Sequence, residues 1–281
     1  VTDCMKTSGA YEPLLDIASD GSLKMPASGT FLIMDDTREE DMQYAMDNRD
    51  TFNVRDMFTI NTVKYFVDGT PSPLAPFNEQ YLKDNGLPAD YVEPLLWDED
   101  HLMESMKKAA EAGFNIHVHS MGDRSQKVVV DALIEAQKQD PEHKLRNIIA
   151  HNMLVAPEDV QRMGDNHIIA NVQPLWMNEN EVNNPSMTYM YGAEQQKRFY
   201  PFKSFLDAGV VCANGTDFTI TMPDPFAAIQ VAMIILRLHG ALQMHFIRRS
   251  DRKIMACTQA VSFCQTSWVS MIWQAMWLNG L

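Results

Sequence analysis

The chain has 281 residues, 46% of them hydrophobic and 21% charged, with a formal net charge of −14. That length and apolar fraction suit one sizeable globular domain, and the excess of acid would repel phosphate backbones, which argues against a nucleic-acid partner. Four cysteines without a CxxC pair make no disulfide framework, so reduced thiols and a cytoplasmic location are expected; Val1–Cys4 lacks the features of a signal peptide, and no apolar run of roughly 18 residues predicts a membrane span.

In chain order, short apolar runs alternate with longer amphipathic stretches. Thr30–Met34 and Thr62–Val67 read as strands. Asp98–Gly113 follows as a helix, with Leu102, Met106, Ala109 and Ala110 on one face and Gly113 as its stop. Asn115–His119 is the next strand, and Asp123–Gln139 the next helix, with Val128, Val129, Leu133 and Ala136 at helical spacing. Asn147–His151 is a strand, and Pro157-Glu158-Asp159 opens a helix, its proline and acids placed where the first turn favours them. Ile168–Val172 is a strand. The polar segment Asn178–Tyr200 reads as a long loop. Lys203–Ala208 is helical, ending at Gly209, and Val210–Asn214 is the last strand. This alternation predicts βαβ units and a parallel sheet, either doubly wound or closed as a barrel. Beyond about Met233 the character changes. Ile247–Lys253 is basic, and Trp268, Trp273 and Trp277 follow at helical spacing, as in an amphipathic closing helix.

Residues able to do chemistry gather at the C-terminal ends of these strands, the end that carries active sites in α/β folds. Lys64 lies within a strand and Asp68-Gly69 follows it. His117 and His119 are two apart on one strand and therefore share a face. His151 ends its strand, and Asp217 follows the last one. Imidazole with carboxylate suits zinc and related divalent ions, whose bound water has a pKa near about 7. His119 and His151 are read as metal ligands and Asp217 as the carboxylate that moves a proton. His117 is read as a supporting or packing residue, and Asp123 and Arg124 as supporting or substrate-contacting positions at a helix start. Trp176 lies near the loop that shapes the pocket. No GxSxG elbow is present, which argues against a serine hydrolase.

Four stretches then resemble the amidohydrolase superfamily, in the branch of YtcJ-like and N-substituted formamide deformylase-like proteins. Some of its members are labelled exoenzyme regulatory protein AepA. Val63–Gly69 is similar to a fourth-strand VKxFxDG element and His117–Arg124 to a fifth-strand HxHxxGDR element. Arg146, Ile149, His151 and Pro157–Asp159 resemble the sixth strand and the helix after it. Gly215-Thr216-Asp217 with Asp224-Pro225-Phe226 resembles the eighth strand's G(S/T)D…DP. The resemblance implies a TIM-like (β/α)8 barrel holding one or two divalent metals, zinc by preference. His119 and His151 would be fifth- and sixth-strand ligands, Lys64 would stand where relatives carry a metal-bridging carboxylated lysine, and Asp217 would be the metal-contacting base. The implied substrates are small amides or formamides.

Three departures shape the expectation. No DxHxH-like run precedes Lys64, and Val1-Thr2-Asp3 resembles the end of strand two, so strand one and the N-terminal β-sandwich are expected to be absent. Ala150 stands where relatives often carry Glu. Residues 234–281 do not resemble the family's closing GSIxxGKxADxVVL segment, and read as a diverged end or a shifted frame. Residues 1–233 are therefore read as an incomplete barrel of about strands two to eight, and 234–281 as an atypical tail. A barrel short of a strand has open edges, so a weakened metal site and homo-oligomerisation are expected. A catalytically impaired or regulatory descendant of the same barrel is the alternative to a C–N hydrolase.

Overall fold

The computed structural model describes residues 11–69, 77–177, 185–218 and 220–238. Its centre is a parallel sheet of six strands: β2 (Phe31–Leu32), β4 (Thr62–Phe66), β5 (Asn115–Ser120), β6 (Ile148–His151), β7 (Ile169–Val172) and β8 (Cys212–Asn214). A shorter parallel pair, β1 (Ala27–Ser28) with β3 (Phe58–Thr59), precedes β2 and β4 along the same two chain segments.

The order of the six strands follows the chain, each pairing with the next. A doubly wound sheet reverses its strand order partway, and this one does not, so the winding is that of a TIM-like barrel wall. Among the described residues the wall ends at β2 on one side and β8 on the other.

Strand alternation sorts the side chains. Val63 and Tyr65 on β4, Ile116 and Val118 on β5, Ile149 on β6 and Ala170 on β7 are all buried on the helix-covered face. Tyr65 confirms that direction, because its hydroxyl lies 3.0 Å from Ser105 Oγ of the helix Glu99–Glu111. The helices between strands supply the other half of this core: Leu102, Met106 and Ala109, then Val129, Val130 and Leu133 of Asp123–Gln137, then Val160 and Met163 of Pro157–Asp165. Each large side chain so buried contributes about 1.5–3 kcal/mol, which holds the wall rigid behind the opposite face.

Local chemistry sets the helix ends. Asp98 caps Glu99–Glu111 by accepting the N–H groups of Asp100 and His101 at 3.0 and 3.2 Å. Gly113, at φ +77°, then lets the chain turn into β5. The helix Asp123–Gln137 begins after Gly122, which offers no capping side chain. Its acceptor comes instead from Asp68, after β4.

The segment Asn178–Tyr200, expected to be a loop, contains helices at Pro185–Tyr191 and Ala193–Gln196. Proline at the first helical position is pre-set for a helix start, and Gly192 at φ +78° separates the two pieces. Tyr191 of the first helix joins Phe77, Leu82, Met153, Leu154 and Phe199 in a second, smaller core beside the C-terminal end of β6. The boundary expected at residues 233 and 234 falls inside a helix, Pro225–Leu238. Val1–Asp3, the basic stretch Ile247–Lys253 and the three tail tryptophans lie outside the described residues. No helix among the described residues is long and apolar enough to cross a membrane.

Candidate active site

The uncovered face of the wall carries the polar residues. Lys64 on β4 is in register with His117 on β5, and Phe66 with His119. Lys64 is buried, and its ammonium lies 4.8 Å from the centroid of the Phe66 ring, which places a cation over an aromatic face rather than in water.

His117 is likewise buried. Desolvation drives its pKa well below the usual imidazole value, helped by the charge of Lys64 and then by His151 and His119. The ring is therefore neutral at physiological pH. His119 lies two residues further along the same face, with its ring centroid 5.2 Å from that of Phe66. Its Nε2 is buried and stands 3.3 Å from Asp68 Oδ1, a separation that fits an ion pair but whose angle is off-line for a hydrogen bond.

Asp68 is the residue the sequence left as part of a strand-end motif. Its side chain is buried, and its carboxylate accepts N–H groups from Met121 at 2.9 Å and Gly122 at 2.9 Å, and the hydroxyl of Ser125. The acid thus ties the end of β4 to the start of the next helix and points an oxygen at His119. An Asp-Gly pair immediately after a strand, within the VKxFxDG-like stretch, is the signal the sequence offers for it.

His151 is the most unusual position. In register it pairs with Ser120, one residue beyond the row that joins His119 to Ala150. Simple alternation would send it toward the helix layer, as it does Ser120, whose Oγ lies 2.8 Å from that of Ser125. Instead the backbone takes φ +80° at His151 and φ +50° at Asn152, a left-handed stretch that breaks the alternation. The His151 ring turns back to 4.5 Å from the His119 ring, inclined at 62°. Its face is covered by Trp176, whose ring is 5.2 Å away and within 6° of parallel. Its Nδ1 lies 3.1 Å from Gln173 Oε1. Burial is the main reason its pKa falls to about 3, and the charges of His119 and Lys64 add to it.

Gln173 and Asn171 are further residues the sequence did not single out. Gln173 donates from Nε2 to Asn171 Oδ1 at 2.7 Å. Both lie against Gly215, where a Cβ would come within 2.5 Å of Asn171 Oδ1 and 3.0 Å of Gln173 Nε2.

Lys64, His117, His119, His151 and Trp176 are thus drawn together. Asp217 is not: it is exposed, at φ +50°, in the turn after β8. Asp123 is buried, 3.8 Å from Arg198. Arg124 donates to the Glu93 carbonyl at 3.1 Å and lies 3.5 Å from Glu99, on the helix flank. Among the described residues no group of three or more His, Cys, Asp or Glu side chains is close enough to hold a metal ion. What does fit a metal is narrower: a His151 ring kept neutral by burial beside His119, and a buried His119 Nε2 without a hydrogen bond.

A family model described as the amidohydrolase family matches residues 6–255. The chain belongs to that family. This amidohydrolase is 33% identical over 122 residues to the exoenzymes regulatory protein AepA of Pectobacterium carotovorum subsp. carotovorum, a stretch covering 42% of this chain and 24% of AepA. It is 26% identical over 137 residues to YtcJ of Bacillus subtilis strain 168, an amidohydrolase by name, covering 49% of this chain and 25% of YtcJ. Both relatives agree with the YtcJ-like resemblance of the four sequence stretches. Its fold matches that of an uncharacterized metal-dependent hydrolase from Pyrococcus furiosus, with a TM-score of 0.62 at 22% identity over 83% of this chain. The amidohydrolase chain spans 44% of that structure, and the matched stretches span about a quarter of AepA and YtcJ.

Proposed function

We propose that this chain carries part of the active site of a metal-dependent hydrolase that cleaves C–N bonds in small amide- or formamide-type substrates. The observation that carries the reading is the approach of His119 and His151 to 4.5 Å at the C-terminal end of a parallel wall, where successive alternation alone would have kept them apart.

His119, His151, Lys64 in carboxylated form and Asp217 would hold the ion, and a donor set of imidazoles and carboxylates favours zinc. A divalent ion bound there supplies a water acidic enough to be hydroxide near neutral pH. The chain's own contribution is to present neutral imidazoles, since burial keeps His117 and His151 unprotonated. Trp176 covers one face of His151 and shields it from solvent. Asp217 is assigned the transfer of the water's proton to the leaving nitrogen, which requires its side chain to turn in from its exposed place after β8.

One observation favours the second reading, a catalytically impaired or regulatory descendant. No three-ligand group is assembled among the described residues. Zinc titration followed by a hydrolysis screen over N-formyl and N-acyl amines separates the two. Stoichiometric zinc and zinc-dependent turnover, both lost in His119→Ala and His151→Ala, support the hydrolase. Zinc binding without turnover of any C–N substrate, or no zinc binding, overturns it in favour of the descendant.

A further inference from the structure

The left-handed backbone at His151 takes this residue out of the strand's regular pleat, so the sheet no longer dictates where its ring nitrogens face. Stacking on Trp176 fixes the plane of the ring. It does not fix which edge lies where: a half-turn about the Cβ–Cγ bond exchanges each nitrogen with a carbon and leaves the plane of the stacked ring unchanged. Something else must choose.

We infer that Gln173, held by Asn171 against the bare backbone of Gly215, is the positioning residue that sets the ring orientation and tautomer of His151. Gln173 Oε1 can only accept, so the proton at 3.1 Å belongs on His151 Nδ1, and Nε2 keeps its lone pair. The Gln173 amide is in turn held against flipping on its own. Its Nε2 already donates to Asn171 Oδ1 at 2.7 Å, and a flip would set two oxygens against each other. Gln173 is buried, so water does not compete for either contact. Gly215 leaves the space: any Cβ there would lie 2.5 Å from Asn171 Oδ1 and force the pair to move. The glycine of the eighth strand's Gly-Thr-Asp element thereby reaches His151 through two amide side chains, while its aspartate points to solvent. The relay depends on nothing but the protein; its consequence for a metal rests on the hydrolase reading.

The test uses the full 281-residue chain, histidine-labelled with 15N and treated with chelator, at neutral pH. Long-range 1H–15N correlation reads the tautomer of His151, assigned by its absence in His151→Gln. The expected result is Nδ1–H in the wild type, conversion toward Nε2–H in Gln173→Leu and Gly215→Ala, and retention of Nδ1–H in Gln173→Glu, whose carboxylate still accepts. A wild-type His151 already in the Nε2–H form, or a Gln173→Leu variant with the wild-type tautomer, overturns the inference. Zinc competition titration then separates this from the functional reading. Affinity weakened about 10- to 100-fold in Gln173→Leu and restored in Gln173→Glu supports both. A tautomer that responds as stated in a chain that binds no zinc upholds the relay and overturns the metal centre. Zinc bound equally by wild type and Gln173→Leu removes the relay's role in positioning a ligand.

Discussion

The Asp68 carboxylate lies 3.3 Å from His119 Nε2 and at the same time accepts the backbone N–H groups of Met121 and Gly122. One buried acid therefore serves as helix cap, as a link between β4 and β5, and as the neighbour of a candidate ligand. Removing it leaves several buried donors unsatisfied. Asp68→Ala is expected to cost about 3–5 kcal/mol, because breaking a buried charged contact strands its partners. Asp68→Asn, which keeps the shape but loses the charge, is expected to cost about 1.5–3 kcal/mol. Urea unfolding with an unchanged slope measures both, and a loss below about 1 kcal/mol for Asp68→Ala would show that the carboxylate is not holding this corner together.

Gly164, near the end of the helix Pro157–Asp165, packs against the chain after the helix Phe202–Asp207. A Cβ at Gly164 would sit 2.1 Å from the Ala208 carbonyl oxygen. The obstacle is backbone, so no rotamer change relieves it. Gly164→Ala is expected to destabilise by about 1–3 kcal/mol even though alanine favours helix. Thermal melting decides this, and a raised midpoint would mean that the two helices part at no cost.

Acid should weaken the metal-free protein from near pH 6.5 downward. The unfolded His151 imidazole takes up a proton near 6.5, whereas the folded one does so only at about 3. Between those values the unfolded state binds more protons, so stability falls as pH falls, by up to about 1.4 kcal/mol per pH unit for this ring. His117 acts in the same direction. Chelated wild type and His151→Gln, compared by urea midpoint between pH 7 and about 5, should diverge, with the variant losing less. Parallel curves would show that His151 is protonated in the folded state.

Lys64 lies beside these rings, and its charge lowers the pKa of both His117 and His151. Lys64→Met removes that charge while filling similar space. Both imidazole pKa values should rise, yet stay below the ordinary value because burial remains. Titration of the labelled histidines measures the shift. Unchanged values would mean the ammonium does not act on these rings.

Much of the wall was legible beforehand. The runs Thr62–Val67, Asn115–His119, Asn147–His151 and Ile168–Val172 match observed strands to within a residue or so at either end. Strands buried on both faces are written as short β-branched runs, and those need no distant information to be read. The helix Arg38–Asn48 was not legible: it has only Met42 and Ala45 buried among polar residues, so it carries little apolar period. Asp68 was seen at its strand end, but its role as a hydrogen-bond hub was not legible, because its donors Met121 and Gly122 lie more than fifty residues away in sequence. Gln173 and Asn171 escaped because an amide next to a strand end is ordinary until its partners are known.

The sequence by itself determined which residues would make parallel strands and that His117, His119, His151 and Lys64 would collect near one end of them, because alternation and strand length are properties of a local run. Only the tertiary structure decided that the strands are wound in chain order, that His151 turns back out of its pleat to meet His119, and that Asp217 stays at the surface. Those outcomes depend on backbone dihedrals at a strand end and on side chains brought in from other strands. A one-dimensional pattern does not encode either until the packing of the whole wall has fixed them.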